Sequence, residues 1–572
     1  MTAAFKQLEA KLPKGRERRS QTTAVYATSI RVYITFDEAH PLTVPFTKTS
    51  AESDFSQLRR ALNLLRKLPL FTFFLSTAGT ISQFIPSRSY DASERMIKGT
   101  LSTPTPFIHL GFDQLMGSRK VLEVFTHLDH VTSLECIAHM GRPMYVVTHC
   151  KSRNSSHFIR WGTQYDCGNL EVRSDLIQFA LQKLLCARPD LEKHEVTPAQ
   201  IYAILSQRLP LDVNTTVYTP LPINQVNQEQ EQISNHMRVV VSIRAGIESI
   251  RGIAASEPIL SEAAYSFMCD SSRFCLPEAL STILGGAYAV NTGDRAELLV
   301  AALFTWARDT TVTKAIPWAI GQATCSFSVT DLFSNLFSEA KFWEISKAKP
   351  SLWPSNIEPQ RFDETFCNAW MHFSHFIKPQ KRGLLYRPYL LTFMARGAAA
   401  FGANCQPGVD AVYPFLYNTK DLDDKKVSFI MVQVKTNDVS PNKRPEVFEK
   451  MDPYQSYLLR KDDNGDDGTF PIPIIRVVFV LISNEPAVTQ QTYKNQSERH
   501  FTSYDFWCSG LSPDIFLPVN QSPGRWQELV DKADEWDTYY RAAPEPNVLR
   551  SQFPACSDHD AHFNAWVTVP RL

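Results

Sequence analysis

Apolar runs and helically spaced apolar residues alternate along the first part of the chain. RVYITF at residues 31–36 is an unbroken apolar strand type, SDFSQLRRALNLLRKL at 53–68 has helical spacing, and LFTFFLST at 70–77 is a second apolar run. Strand, helix, strand with continuous apolar strands predicts a parallel sheet covered on both faces. Residues 120–210 read as mostly helical, with SDLIQFALQKLLCARP and TPAQIYAILSQRL carrying caps and apolar stripes. Polar PLPINQVNQEQEQIS at 220–234 reads as a linker or helix start, and 235–290 as a helical connector. From 293 the pattern is mixed again. GDRAELLVAALFTWARD predicts an amphipathic helix; GVDAVYPFLYN, KVSFIMVQVKT and IIRVVFVLIS predict three strands. The aromatic and proline-rich segment beyond 500 reads as folded, without a class.

The predicted fold class is therefore α/β: a partial parallel sheet of nucleotide-binding type with a helical extension, then a second mixed α/β domain. The expected boundaries are 1–125 for the first core, 126–225 for a helical or winged-helix-like extension, 226–290 for the connector, 291–485 for the second α/β domain and 486–572 for a C-terminal extension.

Hydrophobic residues make up 44% and charged residues 21% of the chain, which excludes a disordered protein. Lys+Arg and Asp+Glu both number 59, so any basic surface is local. The 11 cysteines are scattered without close pairs, which fits reduced thiols in an intracellular protein, nuclear or cytoplasmic, rather than a disulfide framework. The N-terminus has no apolar secretory core, and KGRERR at 14–19 reads as a solvated basic turn ahead of an import signal. LPLFTFFLSTAGTISQFI is interrupted by Thr, Ser, Gly and Gln, so it reads as a buried strand and loop, with no membrane association expected.

Asp37 and Glu38 follow the first apolar strand directly. In P-loop ATPases an acid at that position holds magnesium and its neighbour polarises the attacking water; the chemistry needs hard oxygen ligands at the C-terminal edge of a sheet. The next strand runs into LSTAG, where Ser76 or Thr77 takes the place of a γ-phosphate sensor. The sequence contains no G-x-x-x-x-G-K-[ST] loop, so a triphosphate has no backbone cradle and ATP hydrolysis by this chain is not expected. Arg142 and Arg160 read as structural ahead of phosphate contacts.

The second constellation is Asp410 in GVDAVYP with Gln433 and Lys435 in VQVKT. Period two puts Gln433 and Lys435 on one sheet face, and the turn YNTKDLDDKK allows an antiparallel hairpin that brings Asp410 to them. An Asp, a second oxygen ligand and a Lys suit a single-metal phosphodiesterase: the oxygens hold Mg²⁺, and the Lys positions water and stabilises charge on the phosphate. The bland alternative is a buried strand with one exposed Lys.

This arrangement resembles the PD-(D/E)XK nuclease superfamily, with Gln433 standing where the strand motif has an acid. The resemblance implies a compensating helix acid, for which Glu297 in GDRAELLVAALF is the candidate. Other clusters fail. KDDNGDDGTF lacks the glycine and the glutamate of a calcium loop, and Cys556, His559 and His562 lack a fourth zinc ligand. His372 and His375 in WMHFSHF read as core packing in an aromatic helix, and KPQKRG at 378–383 as a solvated turn ahead of a phosphate-backbone patch.

Taken in order, ITFDEAH, FLSTAGTISQF, LGFDQLM, GRPMY, WGTQYD, RAELLVAALFTWARD, RGAAAFGANCQPGVDAVYP and VQVKTND resemble fungal proteins of the Crinkler and retrotransposon-hot-spot type over about residues 25–485. That resemblance implies a P-loop NTPase module coupled to a restriction-endonuclease-like domain, with DNA as partner, Mg²⁺ as cofactor, and effector or mobile-element roles, often in the nucleus. It assigns Asp37 and Glu38 to the magnesium and water-activating acids, Thr77 to the sensor region, and Glu297, Asp410, Gln433 and Lys435 to the nuclease core. The phosphate loop and any ubiquitin-like N-terminal header are missing, as in a shortened gene or a degenerate paralogue. The expectation is an Mg²⁺-dependent DNA endonuclease-like protein with a degenerate NTPase module. The alternatives are a catalytically inactive interaction or effector protein with protein partners, and an ATPase fragment missing its phosphate loop.

Overall fold

The computed structural model describes residues 32–46, 52–65, 68–75, 98, 112–113, 126–142, 170–186, 195–211, 223–243, 250–287, 295–315, 325–354, 358–379, 381–402, 406, 408–435, 444–465, 468–483, 485–493 and 500–533. These residues form a mixed α/β fold with parallel and antiparallel strand pairs. The chain divides into two compact units, Met1–Leu110 with Thr215–Ala254, and Gly111–Asn214 with Ala255–Leu572.

In the first unit, β1 (Val32–Phe36) pairs in parallel with β2 (Leu70–Phe74), from Val32 opposite Leu70 to Phe36 opposite Phe74. The connecting helix α1 (Asp54–Leu64) starts at a capping box: Ser53 accepts from the Ser56 N–H while Ser56 accepts from the Ser53 N–H. Phe55 of α1 meets Phe74 edge-on at 5.0 Å, so one face of the pair is packed. The other face differs from the expected double cover. Tyr33, Phe71 and Phe73 alternate onto it and are 62%, 45% and 43% exposed. The same unit holds a helix at Ile223–Asn235 and an antiparallel hairpin of β3 (Val239–Ile243) with β4 (Ile250–Ile253). A hairpin thus replaces the start of the expected helical connector, because the β-branched run VVVSI favours an extended chain. Buried Arg238 binds Glu229 at 3.1 Å and donates to the Gly252 carbonyl at 2.9 Å, which ties that hairpin to its helix.

The second unit is built on a nine-stranded sheet with helices on both faces. Its helices include α2 (Pro198–Arg208), capped by Thr197, then α3 (Pro258–Met268) and α4 (Arg295–Ala315). The strands are β5 (Phe327–Ser328), β6 (Ala369–Met371), β7 (His375–Ile377), β8 (Ala398–Phe401), β9 (Ala411–Tyr417), β10 (Val427–Val434), β11 (Phe470–Val480), β12 (Ala487–Gln490) and β13 (Phe501–Ser509). The main order is β12-β13-β11-β10-β9-β6-β5, and β8 pairs with β7 and β9. Helix α5 (Arg387–Ala395) precedes β8, and α6 (Pro445–Lys450) lies between β10 and β11.

The register divides the central strands into two faces. Val412, Leu416, Phe429, Met431, Ile474 and Val478 project to one face and pack with Leu390, Leu391 and Met394 of α5. Tyr413 and Phe479 project to the other, where Phe304 of α4 stacks on Tyr413 at 4.2 Å and meets Phe479 edge-on at 6.0 Å. Helix α4 is not the amphipathic helix expected. Leu298–Phe304 are all at most 5% exposed, because small and apolar residues surround the helix on every side.

Two further expectations change. The sheet continues past the boundary expected at 485, since β12 and β13 complete it and β13 lies between β12 and β11. His372 and His375 are not on a helix: His375 begins β7, and both side chains are 2% exposed. The interior also holds charge. Arg208 grips Asp309 through two bonds of 2.8 and 2.7 Å, Arg308 binds Glu262 at 2.7 Å, and both guanidinium groups lie over the Tyr265 ring. No helix among the described residues is long and apolar enough to cross a membrane.

Candidate active site

The first constellation keeps its expected place. β1 ends at Phe36, whose carbonyl accepts from the Leu75 N–H at 2.8 Å, and the Ala39 N–H donates to the Leu75 carbonyl at 2.8 Å. The chain turns sharply between these bonds, and Glu38 takes φ 47°, a left-handed conformation uncommon for a side-chain-bearing residue. Asp37 steadies the turn by accepting the Glu38 N–H at 3.0 Å. Both acids are exposed at the C-terminal end of the parallel pair, and Glu38 lies 3.6 Å from His40. Ser76, Thr77, Arg160, Cys556, His559 and His562 lie outside the described residues. Arg142 has a structural role: its N–H donates to Glu257 at 3.1 Å and its guanidinium lies 3.4 Å from the same carboxylate.

The second constellation is assembled by the β9–β10 hairpin. Ala411 stands opposite Val432, so the preceding residue, Asp410, faces Gln433. The Asp410 N–H donates to the Val432 carbonyl at 2.8 Å, and the Gly402 N–H donates to the Asp410 carbonyl at 2.7 Å. These bonds hold the backbone on both sides of the acid. Oδ2 of Asp410 accepts two short bonds, one from Gln433 Nε2 at 2.5 Å and one from the Val434 N–H at 2.5 Å. Such bonds orient the carboxylate, because each places a positive dipole end against its oxygen. Gln433 is 8% exposed, and Lys435 follows two residues later on the same face, with its own N–H held by the Phe479 carbonyl at 2.8 Å. Gly408 seats the loop: its φ is +72°, and a Cβ there would collide with the Lys450 carbonyl oxygen.

Glu297 is placed differently from its partners. It lies in the first turn of α4, half-buried, about two turns before Phe304. Helix α4 packs on the Tyr413 and Phe479 face, whereas Asp410 and Gln433 alternate onto the Val412 and Met431 face. The contacts described thus join Asp410 to Gln433, bring Lys435 to their face, and anchor the Glu297 helix across the sheet. Among the described residues, no three His, Cys, Asp or Glu side chains converge as a metal-binding group.

Elsewhere in the unit, His375 Nε2 meets Ser256 Oγ at 2.7 Å, and Ser256 also accepts from Arg396 Nε at 2.8 Å. Burial lowers the pKa of both His372 and His375 to about 3, with Arg396 adding to the effect on His375. Both rings are therefore neutral and act in packing, as the core-packing reading of the sequence expected. Sequence reasoning missed the Val434 N–H and Gly408, since backbone donors leave no residue-type signal; a glycine two positions before the acid was the only available hint. No protein-family model, curated protein or solved structure matches this chain.

Proposed function

We propose that the second unit is a Mg²⁺-dependent DNA nuclease of the PD-(D/E)XK kind, and that the first is a degenerate NTPase module. One observation carries the reading: Asp410 and Gln433 meet at the end of a hairpin, with Lys435 on the same face. The order of elements agrees with it. After α4, and separated from it by β5–β8 and α5, come an antiparallel pair (β9 and β10), a second helix (α6) and a strand parallel to β10 (β11).

Magnesium takes oxygen ligands, commonly one or two carboxylates completed by water and substrate phosphate. Asp410 supplies a carboxylate, and Gln433 supplies an amide oxygen once its terminal amide turns over. The residues fit a weak site completed by DNA. Asp410 and Gln433 would hold the ion; the resemblance would add Glu297 as a supporting acid, but its helix packs on the opposite face of the sheet. When bound, the ion supplies Lewis-acid polarisation of the scissile phosphate. Lys435 places its ammonium near the phosphate, where it offsets developing negative charge and orients water for in-line attack. Asp37, Glu38 and Thr77 mark the ancestral nucleotide site without a phosphate cradle. DNA is the proposed partner, in the nucleus or cytoplasm.

A specific observation favours the rival reading of a non-catalytic interaction or effector protein. The Gln433 amide already satisfies Asp410 with an N–H, as a purely structural pair would. Plasmid nicking decides between them. Purified protein is expected to nick supercoiled DNA with Mg²⁺ or Mn²⁺, and Asp410→Asn and Lys435→Ala are each expected to abolish the reaction. Absence of cleavage by the unaltered chain across Mg²⁺, Mn²⁺ and Co²⁺, on duplex and single-stranded DNA, overturns the nuclease reading.

A further inference from the structure

We infer that Gln433 is a latch that makes metal binding at Asp410 depend on DNA. Given the nuclease reading, on which the latch rests, the amide has two faces of opposite character. Nε2 now donates to Asp410 Oδ2 at 2.5 Å, and the Val434 N–H donates to the same oxygen at 2.5 Å. In this state two positive dipole ends already offset the carboxylate charge. A cation approaching Asp410 meets the amide N–H₂, which repels it. To become a ligand, Gln433 turns its terminal amide by about 180°, exchanging Nε2 for Oε1. That turn gives up the charge-assisted bond to Asp410 and returns only a neutral oxygen donor.

With one carboxylate and one amide, metal alone repays this loss poorly, since magnesium sites of few carboxylates take their remaining charge from substrate phosphate. The amide therefore opens when a phosphodiester arrives with the ion. Coupling of this kind is reciprocal: DNA tightens metal by the same factor that metal tightens DNA. The latch keeps the site closed at metal levels that would load a two-carboxylate site. Glutamate at 433 has no N–H₂ face, so it removes the latch and adds a charge in one step.

The test uses the full-length chain and calorimetry with Mn²⁺, with and without a phosphorothioate duplex that resists cleavage. The unaltered protein is expected to bind Mn²⁺ at least tenfold more tightly in the presence of the duplex. Gln433→Glu is expected to bind Mn²⁺ at least tenfold more tightly than the unaltered protein without DNA, and to lose most of the dependence on the duplex. A Gln433→Glu affinity equal to the unaltered one, or an unaltered affinity indifferent to DNA, overturns the latch. If Gln433→Glu fails to fold, ¹⁵N-glutamine side-chain spectra of the unaltered protein substitute for it. The Gln433 N–H₂ signals are expected to move on adding Mg²⁺ with the duplex but not with Mg²⁺ alone, and an equal shift under both conditions overturns the proposal. The two readings fail separately. Nicking with Mn²⁺ affinity unchanged in Gln433→Glu removes the latch and leaves the nuclease; coupled binding without any nicking removes the nuclease reading and leaves a DNA-dependent metal site that does not cleave.

Discussion

Replacing Asp505 with alanine is expected to destabilise the second unit by about 3–5 kcal/mol, the range for removing one partner of a buried ion pair. Asp505 sits on β13, fully buried, directly opposite Arg476 of β11. The pair is bidentate, with Arg476 Nε donating to Oδ1 at 2.7 Å and Nη2 to Oδ2 at 2.6 Å. Arg476 also donates to the Phe448 carbonyl at 2.7 Å and lies near the faces of the Phe448 and Phe501 rings. Burial alone lowers the Arg476 pKa, but the attraction of Asp505 outweighs it and holds the group above its ordinary value. Asp505→Ala therefore leaves a permanently charged guanidinium in the centre of a nine-stranded sheet. A loss of about 4 kcal/mol is a large share of the roughly 5–15 kcal/mol that stabilises a native protein. With a urea slope on the order of 3 kcal/mol/M, the midpoint falls by about 1.3 M. Urea unfolding followed by tryptophan fluorescence reads this directly, since Trp507 lies on the same strand and is fully buried. The double variant Arg476→Met/Asp505→Leu is expected to lose less than Asp505→Ala, because it removes both charges together. A single-variant loss under about 1 kcal/mol, or a double variant worse than the single, refutes the reasoning.

The buried histidines give a pH dependence. Their folded pKa values of about 3 lie below the ordinary 6.5, so the unfolded chain takes up protons first as pH falls. The stability they contribute is complete above about pH 6.5 and is lost towards pH 3, at about 1.4 kcal/mol per unit for each ring. Urea midpoints at pH 7 and pH 5 should converge in His375→Gln relative to the unaltered protein, while the opposing effect of buried Glu257 and Glu262, whose pKa values burial raises, is common to both. Gly408→Ala forces a positive φ on a residue with a Cβ and a clash with the Lys450 carbonyl, so it is expected to cost about 1–3 kcal/mol and to abolish nicking, read by urea unfolding and the plasmid assay. A phosphate-release assay is expected to show no ATP hydrolysis above that of Asp37→Ala/Glu38→Ala; clear excess turnover would show that the chain needs no glycine-rich loop of the usual kind.

The β9–β10 hairpin was legible because two apolar runs flank a polar turn and period two fixes which residues share a face. The contact of Asp410 with Gln433 followed from that parity. Which end of the Gln433 amide faces the acid did not, since it depends on a terminal torsion that leaves no trace in residue order. The distance rule also misled at His372 and His375, where a spacing of three suggested a helix; the Ser374 hydroxyl between them donates to the Gly397 carbonyl at 3.4 Å and lies 3.2 Å from His375 Nδ1, which stabilises an extended path instead. β13 was missed as sheet because FTSYDFWCS carries an acid and several hydroxyls. A buried charge looks like a strand end until its partner is known, and Arg476 lies about 30 residues upstream.

Asp410 and Asp505 show how surroundings divide the roles of two strand-borne acids. Asp505 meets a guanidinium that matches both oxygens in charge and geometry, in a place closed to solvent. A metal ion there would face the fixed charge of Arg476, so the position can only be structural. Asp410 meets N–H dipoles from Gln433 and Val434 on one oxygen. Dipoles orient a carboxylate without cancelling its full charge, and the amide dipole can reverse by rotation about one bond. On the proposed reading, the acid that can still change partners is the one suited to chemistry, and the acid three strands away is suited to holding the sheet that positions it.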